Sequence, residues 1–301
     1  MVAKVELDIA RVVAAHGRHF LIETPEGARL IAHPRGKRSD AVVGDLVRWR
    51  ASGDEGVIEH IAPRRNLLMR RDEWRSKSFA ANIDRLLVLV AGEPMFSESQ
   101  LARALIAAES ADIAALVLLN KTDLPSADAA RERLQPYRRM GVEVLEAALK
   151  AAPEDAREHL APRLAEGATL LLGPSGSGKS TLVNLLVADA QAQVGEISAA
   201  LGSGRHTTTT TRWYWLGHER RGALIDSPGF QEFGLQHIDA QQLPLLMPDL
   251  REHAGACRFY NCTHRHEPGC GVLDAVARGD VARSRHRIYV EILDELTRTR
   301  R

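Results

Sequence analysis

The stretch Ala-Thr-Leu-Leu-Leu-Gly-Pro-Ser-Gly-Ser-Gly-Lys-Ser-Thr, residues 168 to 181, constrains this chain more than any other. Its apolar run ends at Leu172 and predicts a buried strand. Gly173 opens a G-x-x-x-x-G-K-[ST] pattern that closes at Gly178, Lys179 and Ser180, and Leu182, Val183, Leu185 and Leu186 continue at helical spacing. Strand, glycine-rich loop and helix in that order are the setting the Walker A pattern requires. Glycines let successive backbone N–H groups face a phosphate, and the helix N-terminus adds positive charge. The expected cradle is Gly173, Pro174, Ser175, Gly176, Ser177, Gly178, Lys179, Ser180 and Thr181. Lys179 would reach the β- and γ-phosphates, and Ser180 would offer its hydroxyl to Mg²⁺. The competing reading, a glycine turn without a ligand, is disfavoured by the correct flanks.

The surroundings of this loop read as an α/β sheet. Leu86 to Val90, Ile113 to Leu119, Val142 to Leu145 and Thr169 to Leu172 are candidate strands. Glu98 to Ser110, Ala127 to Met140 and Glu154 to Ala165 are candidate helices between them. That alternation predicts a parallel sheet covered on both faces, with ligands at the carboxyl ends of its strands. Asn120, Lys121, Thr122 and Asp123 stand at one such end. A carboxylate there accepts two hydrogen bonds from the N1–H and exocyclic amine of guanine, a pair adenine does not offer. N-K-x-D is short, and a helix N-cap at Asp123 is its plain alternative. Placed after a buried strand and beside the phosphate loop, it points to GTP or GDP.

Downstream, Gly204-Arg205-His206 precedes five threonines, Thr207 to Thr211. The run sits where a mobile loop would complete the Mg²⁺ shell when γ-phosphate is present, with Thr208 as the candidate ligand. Trp213 to Leu216 and Ala223 to Ile225 read as two strands, the second ending in Asp226-Ser227-Pro228-Gly229. Asp226 would hold Mg²⁺ through water, and the Gly229 N–H would sense the γ-phosphate. Ras-type GTPases run phosphate loop, D-x-x-G, N-K-x-D. Here N-K-T-D comes first, which is a circular permutation that keeps the site and moves the chain ends.

The flanks differ in texture. Residues 4 to about 62 contain five short strand candidates punctuated by Gly27, Gly44 and Gly53, a pattern that fits a small closed barrel of the OB type. Residues 65–80 read as a basic linker in which Arg70, Arg71, Arg75 and Lys77 mingle with Trp74 and Phe79, a composition suited to RNA or to plain solvation. All three cysteines lie between Cys257 and Cys270, and with His264 they form Cys257-x₄-Cys262-x-His264-x₅-Cys270. Three thiolates and an imidazole make a closed structural Zn²⁺ site, with His253 and His266 as lesser candidates. Phe259 and Tyr260 between these ligands are candidates either to stack RNA bases or, as the favoured reading, to pack against the knuckle. A final amphipathic helix from Val281 turns Ile288, Tyr289, Ile292 and Leu296 inward.

Composition narrows the class. No apolar run approaches the roughly 20 residues of a membrane span, and the N-terminus lacks a signal core, so a cytoplasmic protein is expected. Residues 1–80 carry 15 Lys/Arg against 11 Asp/Glu, and residues 251–301 carry 10 against 7. The middle is acidic, so the two ends are the candidates for facing a polyanion.

Taken together, these motifs resemble the circularly permuted small ribosomal subunit biogenesis GTPases of bacteria. The match rests on the barrel with Gly44-Asp45, Ala80 to Asp84 before the sheet, N-K-T-D, the Walker A loop, Gly-Arg-His-Thr-Thr-Thr, D-S-P-G-F and the cysteine cluster. The resemblance implies an OB-fold domain over 1–64, a linker over 65–80, a permuted GTPase domain over 81–236 and a mainly helical zinc domain over 237–301. It implies GTP hydrolysis stimulated by the 30S subunit during its late maturation, with 16S rRNA gripped by the barrel and zinc domains. A monomer without membrane contact is expected. Two departures stand out: Glu146-Ala147 occupies the place of a usual Ser-Ala pair near the base, and Ser177 replaces a different residue in the phosphate loop.

Phe230 stands where Ras-like enzymes carry a water-orienting glutamine, so a slow intrinsic rate is expected. Lys179 and His206 are then the candidate catalytic residues, His206 acting on the attacking water or, equally, only contacting RNA. A P-loop ATPase and a non-hydrolysing RNA-binding assembly factor are the alternatives; Asn120 and Asp123 argue against the first.

Overall fold

Alternating apolar residues place Val12, Ile22, Ala32, Val47 and Ile58 inside a five-stranded barrel. Its strands are β1 (Asp8–His16), β2 (His19–Glu23), β3 (Arg29–Pro34), β4 (Leu46–Ser52) and β5 (Glu55–Ile61). They run in the order β1-β2-β3-β5-β4, and pairing of β1 with β4 closes the ring. This is the OB-like barrel expected from the sequence. The computed structural model describes residues 7–36, 40–72, 76–188, 190, 210–228, 230 and 233–298. His206, Thr208 and Gly229, and Trp74 and Arg75, lie outside the described residues.

The stretch expected to be a basic linker is instead largely a hairpin, β6 (Leu67–Arg71) paired antiparallel with β7 (Ser76–Ala81). Its charges hid its apolar side. Leu68, Phe79, Ala80 and Ala81 are buried, and that inward row fixes the pairing register.

The central sheet is formed by β8 (Arg85–Ala91), β9 (Ala114–Asn120), β10 (Glu143–Ala147), β11 (Gly167–Leu172), β12 (Thr211–Leu216) and β13 (Gly222–Asp226). The order β10-β9-β8-β11-β13-β12 is parallel except at β12. Helices α1 (Glu98–Ser110), α2 (Ala127–Arg139), α3 (Pro153–Leu164) and α4 (Lys179–Leu186) connect or follow these strands. Period-two alternation separates two cores. Leu86, Val88, Val90, Leu170 and Leu172 face one side with Leu101 of α1 and Leu134 of α2. Leu87, Leu89 and Leu171 face the other with Leu160 of α3 and Leu182 of α4. The chain leaves β8 toward β9 and β10, then returns to β11 on the opposite side. The carboxyl ends of β8 and β11 therefore form the switch point where open α/β sheets bind ligands.

One connection was not foreseen. Strand β1 of the barrel pairs antiparallel with β12, Ala14 opposite Arg212 and Ala15 opposite Thr211, merging barrel and central sheet into eleven continuous strands. Glu23 reinforces the junction. Its buried carboxylate accepts from Trp215 Nε1 at 2.6 Å and from Arg29 Nε at 2.7 Å. The Arg11 guanidinium lies 4.6 Å from the ring centre of Trp213.

The C-terminal region contains α5 (Pro248–Ala254), α6 (Gly271–Arg278) and α7 (Arg283–Arg298). Ile288, Tyr289, Ile292 and Leu296 are buried along α7, as its periodicity predicts. Buried Arg285 makes a two-pronged ion pair with Asp249 at 2.8 and 3.1 Å and lies 4.9 Å over the Tyr137 ring of α2. With the Arg103–Glu295 ion pair, this anchors the C-terminal helices to α1 and α2.

Candidate functional site

Asn120 holds the site together from beneath. It is buried at the end of β9, where its side-chain amide donates to the Ser177 carbonyl at 2.8 Å and its carbonyl accepts from Leu149 N–H at 3.1 Å. One side chain thus ties the phosphate loop to the loop after β10. Gly178 has φ of +110°, and a Cβ there would overlap the Asn120 carboxamide, so glycine is required both for backbone shape and for space. Thr122 N–H donates to Ala147 C=O at 3.3 Å, closing N-K-T-D onto the same loop. Lys121 reaches across to the Glu93 carbonyl at 2.7 Å.

Above this frame lies a cleft of about 830 Å³. Asn120, Lys121 and Asp123 line one end, and the phosphate loop from Gly173 to Gly176 and from Gly178 to Thr181 lines the middle. Asp226, Ser227, Pro228 and Phe230 line the other. The structure thus gathers residues that lie about a hundred positions apart in the sequence. Thr122 and Ser177 are not among the lining residues; the first uses its backbone to brace the wall, and the second is fully buried behind it.

The phosphate end carries a cation, Lys179, and a carboxylate, Asp226. Lys179 donates to the Gly173 and Pro174 carbonyls at 2.6 and 3.0 Å, so its ammonium is folded over the loop. Burial lowers its pKa, against the opposing pull of Asp226. Burial raises the pKa of Asp226, while Lys179 and Arg212 work to keep it ionised. Arg212 sits directly opposite Asp226 in the β12–β13 register.

The Glu146 side chain is committed elsewhere than the cleft. Its carboxylate is bound by Arg131 at 2.8 Å and Arg138 at 2.7 Å on α2, turned away from the cleft. The segment that meets N-K-T-D is Ala147 to Lys150, and Lys150 lines the cleft. Sequence reasoning missed Lys150. The usable signal was its place just beyond the strand that neighbours β9.

Ser177 offers a direct stability test. Its hydroxyl is buried without a hydrogen-bond partner, and an orphaned polar group of that kind costs about 1–3 kcal/mol. Ser177→Ala keeps the carbonyl that Asn120 uses. It is expected to leave nucleotide affinity unchanged and to raise stability by up to about 1 kcal/mol, read from a denaturant midpoint. A clear loss of stability would show that the hydroxyl has a role.

The segment downstream of the D-S-P-G turn docks onto the β6–β7 hairpin. Lys77 donates to Pro228 C=O at 2.7 Å. Phe79 stacks on Phe233 at 5.5 Å with the rings nearly parallel, and Phe233 also meets Phe230 at the cleft edge. Arg71 N–H donates to Gly234 C=O, and Gln236 N–H donates to Arg71 C=O, both at 2.9 Å.

A second candidate site lies some way along the chain. The ligating atoms of Cys257, Cys262, His264 and Cys270 all fall within 4.8 Å of one another. His264 Nδ1 is 3.4 Å from the sulfurs of Cys257 and Cys270, which are 3.8 Å apart. Three soft sulfurs and one imidazole at this spacing suit one tetrahedral Zn²⁺. Neither His253 nor His266 belongs to the cluster. Between the ligands, Phe259 is 41% exposed and Tyr260 wholly exposed, so the expected packing against the knuckle does not occur at Tyr260 and is at most partial at Phe259.

The family follows from the whole arrangement. The model of the RsgA GTPase family matches residues 61–236, which span the hairpin, the central sheet, N-K-T-D, the phosphate loop and D-S-P-G. The chain belongs to the RsgA GTPase family. "Small ribosomal subunit biogenesis GTPase RsgA" of Variovorax paradoxus (strain S110) is 59% identical over 294 residues, covering 96% of this chain and 92% of that one. The RsgA of Burkholderia pseudomallei (strain K96243) is 56% identical over 288 residues, covering 95% and 91%. Among solved structures, YjeQ from Thermotoga maritima superposes with a TM-score of 0.73 at 26% identity over 97% of this chain and 99% of that chain. YloQ, a circularly permuted GTPase, superposes at 0.70 and 25%, covering 99% and 98%. The permuted order read from the sequence is therefore that of the fold, and this RsgA-family chain is a GTP hydrolase. Among the described residues, no helix is long and apolar enough to cross a membrane.

Proposed function

We propose that this GTPase binds the small ribosomal subunit and hydrolyses GTP to GDP and phosphate during late maturation of that subunit. The observation that carries this reading is 59% identity over nearly the full length to a protein named for small ribosomal subunit biogenesis, with residues of N-K-T-D, the phosphate loop and the D-S-P-G turn lining one cleft. In this reading Asp123 accepts from the guanine N1–H and amine, and Asn120 keeps the base loop and phosphate loop in register. Lys179 leaves its two loop carbonyls for the β- and γ-phosphates. Ser180 and Asp226 would hold Mg²⁺, which neutralises charge on the transferred phosphoryl group.

Phe230 supplies no hydrogen bond to water, so the unaided rate is slow. Thr208 is the proposed further Mg²⁺ ligand, the Gly229 N–H the proposed γ-phosphate sensor, and His206 the proposed residue acting on the attacking water, with a contact to RNA as its alternative role. The barrel and the zinc domain are the proposed contacts to 16S rRNA. The protein works as a cytoplasmic monomer.

Multiple-turnover phosphate release, with and without purified 30S subunits, tests the proposal. Stimulation of at least about 10-fold is expected, given the 10³–10⁵ that external activation supplies in other GTPases. Equal rates with and without subunits would remove the ribosomal reading and leave an unassisted GTPase.

A further inference from the structure

We propose that the turn between Cys257 and Cys262 is a stacking platform for unpaired RNA bases, with Tyr260 as its principal contact and Arg258–Phe259 beside it. The inference rests on the ribosomal reading above and specifies one of its contacts.

The turn is held at its base. Arg258 N–H donates to Gly269 C=O at 2.9 Å, and Cys262 N–H donates to Phe259 C=O at 3.2 Å. Cys257 and Cys262, which bound the turn, belong to the metal-ligand cluster. From this fixed base Tyr260 projects wholly exposed, and Phe259 is 41% exposed. The Arg258 guanidinium lies 5.5 Å from the Phe259 ring centre. Ordering a tyrosine on a rigid turn costs little conformational entropy, because only two side-chain torsions are lost.

The chemistry favours nucleobases over a protein partner. Among the described residues the other exposed large apolar side chains are Ile9, Leu46, Met95 and Leu245, none of them aromatic. Among the described residues, the two exposed Phe, Tyr or Trp side chains are thus adjacent, in a turn that also carries an arginine. Flat rings with a neighbouring guanidinium match the faces and phosphates of single-stranded or looped RNA. A protein hot spot would instead sit at the centre of a well-packed patch whose surrounding contacts exclude water. Here the neighbours in sequence are Arg258 and Asn261, both exposed.

Charge agrees with this choice. Glu267 is the sole carboxylate from Cys257 to Cys270. It is spent inward on the Thr263 hydroxyl and on the N–H groups of Thr263, Arg265 and His266. Nothing acidic within the knuckle opposes a polyanion.

The test uses the full-length protein carrying a non-hydrolysable GTP analogue and purified small ribosomal subunits at fixed salt. Tyr260→Ala is expected to weaken binding about 10-fold, within the range a single base stack supplies. Tyr260→Trp should bind as the wild type does. The slope of affinity against salt should be unchanged in Tyr260→Ala and reduced in Arg258→Gln, because only the latter removes a phosphate contact. GTP affinity and melting temperature should not change in any of the three, since these side chains lie outside the cleft and the core. Ultraviolet crosslinking should place Tyr260 or Phe259 on a nucleotide. Wild-type affinity in Tyr260→Ala overturns the platform and leaves the ribosomal reading standing. Crosslinks only to a ribosomal protein overturn the choice of RNA. A wild type that does not bind subunits at all overturns the ribosomal reading, and the platform falls with it.

Discussion

Asp123→Asn is expected to weaken GTP binding by about 10⁴-fold and to make a xanthine nucleotide the preferred ligand. Asp123 is exposed at the cleft wall. Once a bound base covers it, a site built to hydrogen-bond its ligand discriminates by about 10⁴–10⁵ against one that cannot complete those bonds. The carboxylate at 123 accepts from two adjacent N–H groups of guanine. An amide in its place presents a donor where guanine also presents one, and xanthine replaces that donor with a carbonyl. The effect should be confined to recognition, because the frame does not depend on this side chain. The hydrogen bonds that tie N-K-T-D to the phosphate and base loops come from the Asn120 side chain and the Thr122 backbone. Competition of GTP, XTP and ATP against a fluorescent guanine nucleotide reads the result. Undiminished affinity for GTP in the variant would mean that Asp123 lines the cleft without reading the base.

Removal of metal from the cysteine cluster is the second large effect. Structural zinc contributes about 10–16 kcal/mol of apparent binding free energy in isolated zinc-finger peptides. A larger, partly preorganised region should retain a smaller loss, about 5 kcal/mol, which corresponds to a fall of about 10–20 °C in melting temperature. The loss should spread beyond the ligands. Cys270 is buried, and its sulfur accepts from Leu273 N–H at the start of α6. The Tyr289 hydroxyl donates to the Thr263 carbonyl, tying α7 to the knuckle. Chelator treatment and Cys270→Ser should therefore both melt the C-terminal helices ahead of the central sheet, with loss of about one zinc per chain by elemental mass spectrometry. Identical melting before and after chelation would show that the three thiols and the imidazole pack without a metal.

What could be read from the sequence followed the range of each signal. The strand–helix alternation from β8 to β11 was legible because its periods of two and 3.6 are local, and the two nucleotide motifs gained force by standing at strand ends. The link that makes them one site was not legible. Asn120 bonds residues 57 and 29 positions away, and no local pattern announces those partners. The β6–β7 hairpin was obscured because its arginines dominate the composition while Leu68 and Phe79, the residues that fix it, are few. Glu146-Ala147 was placed near the base through its backbone, by resemblance of motif order, and the direction of the Glu146 side chain was not legible. Its arginine partners on α2 show that the strand presents it to the other side. The exposure of Tyr260 was misjudged for a related reason: an aromatic beside metal ligands ordinarily packs, but here the turn carries it outward.

The junction of β1 with β12 has a consequence for how a nucleotide signal could travel. A barrel joined to the central sheet by backbone pairing and by the buried Glu23 contacts cannot swivel as a separate body without breaking that ladder. The strand that carries the junction begins at Thr211, the last residue of the threonine run. Thr211 also meets Ser227 of the D-S-P-G turn, hydroxyl to hydroxyl at 3.1 Å. The barrel therefore fixes the position of Thr211, where β12 begins. A surface met by the barrel would lie at a distance from the phosphate loop that is set when the chain folds, so under the proposed function docking and turnover together would test whether that surface has reached its final shape.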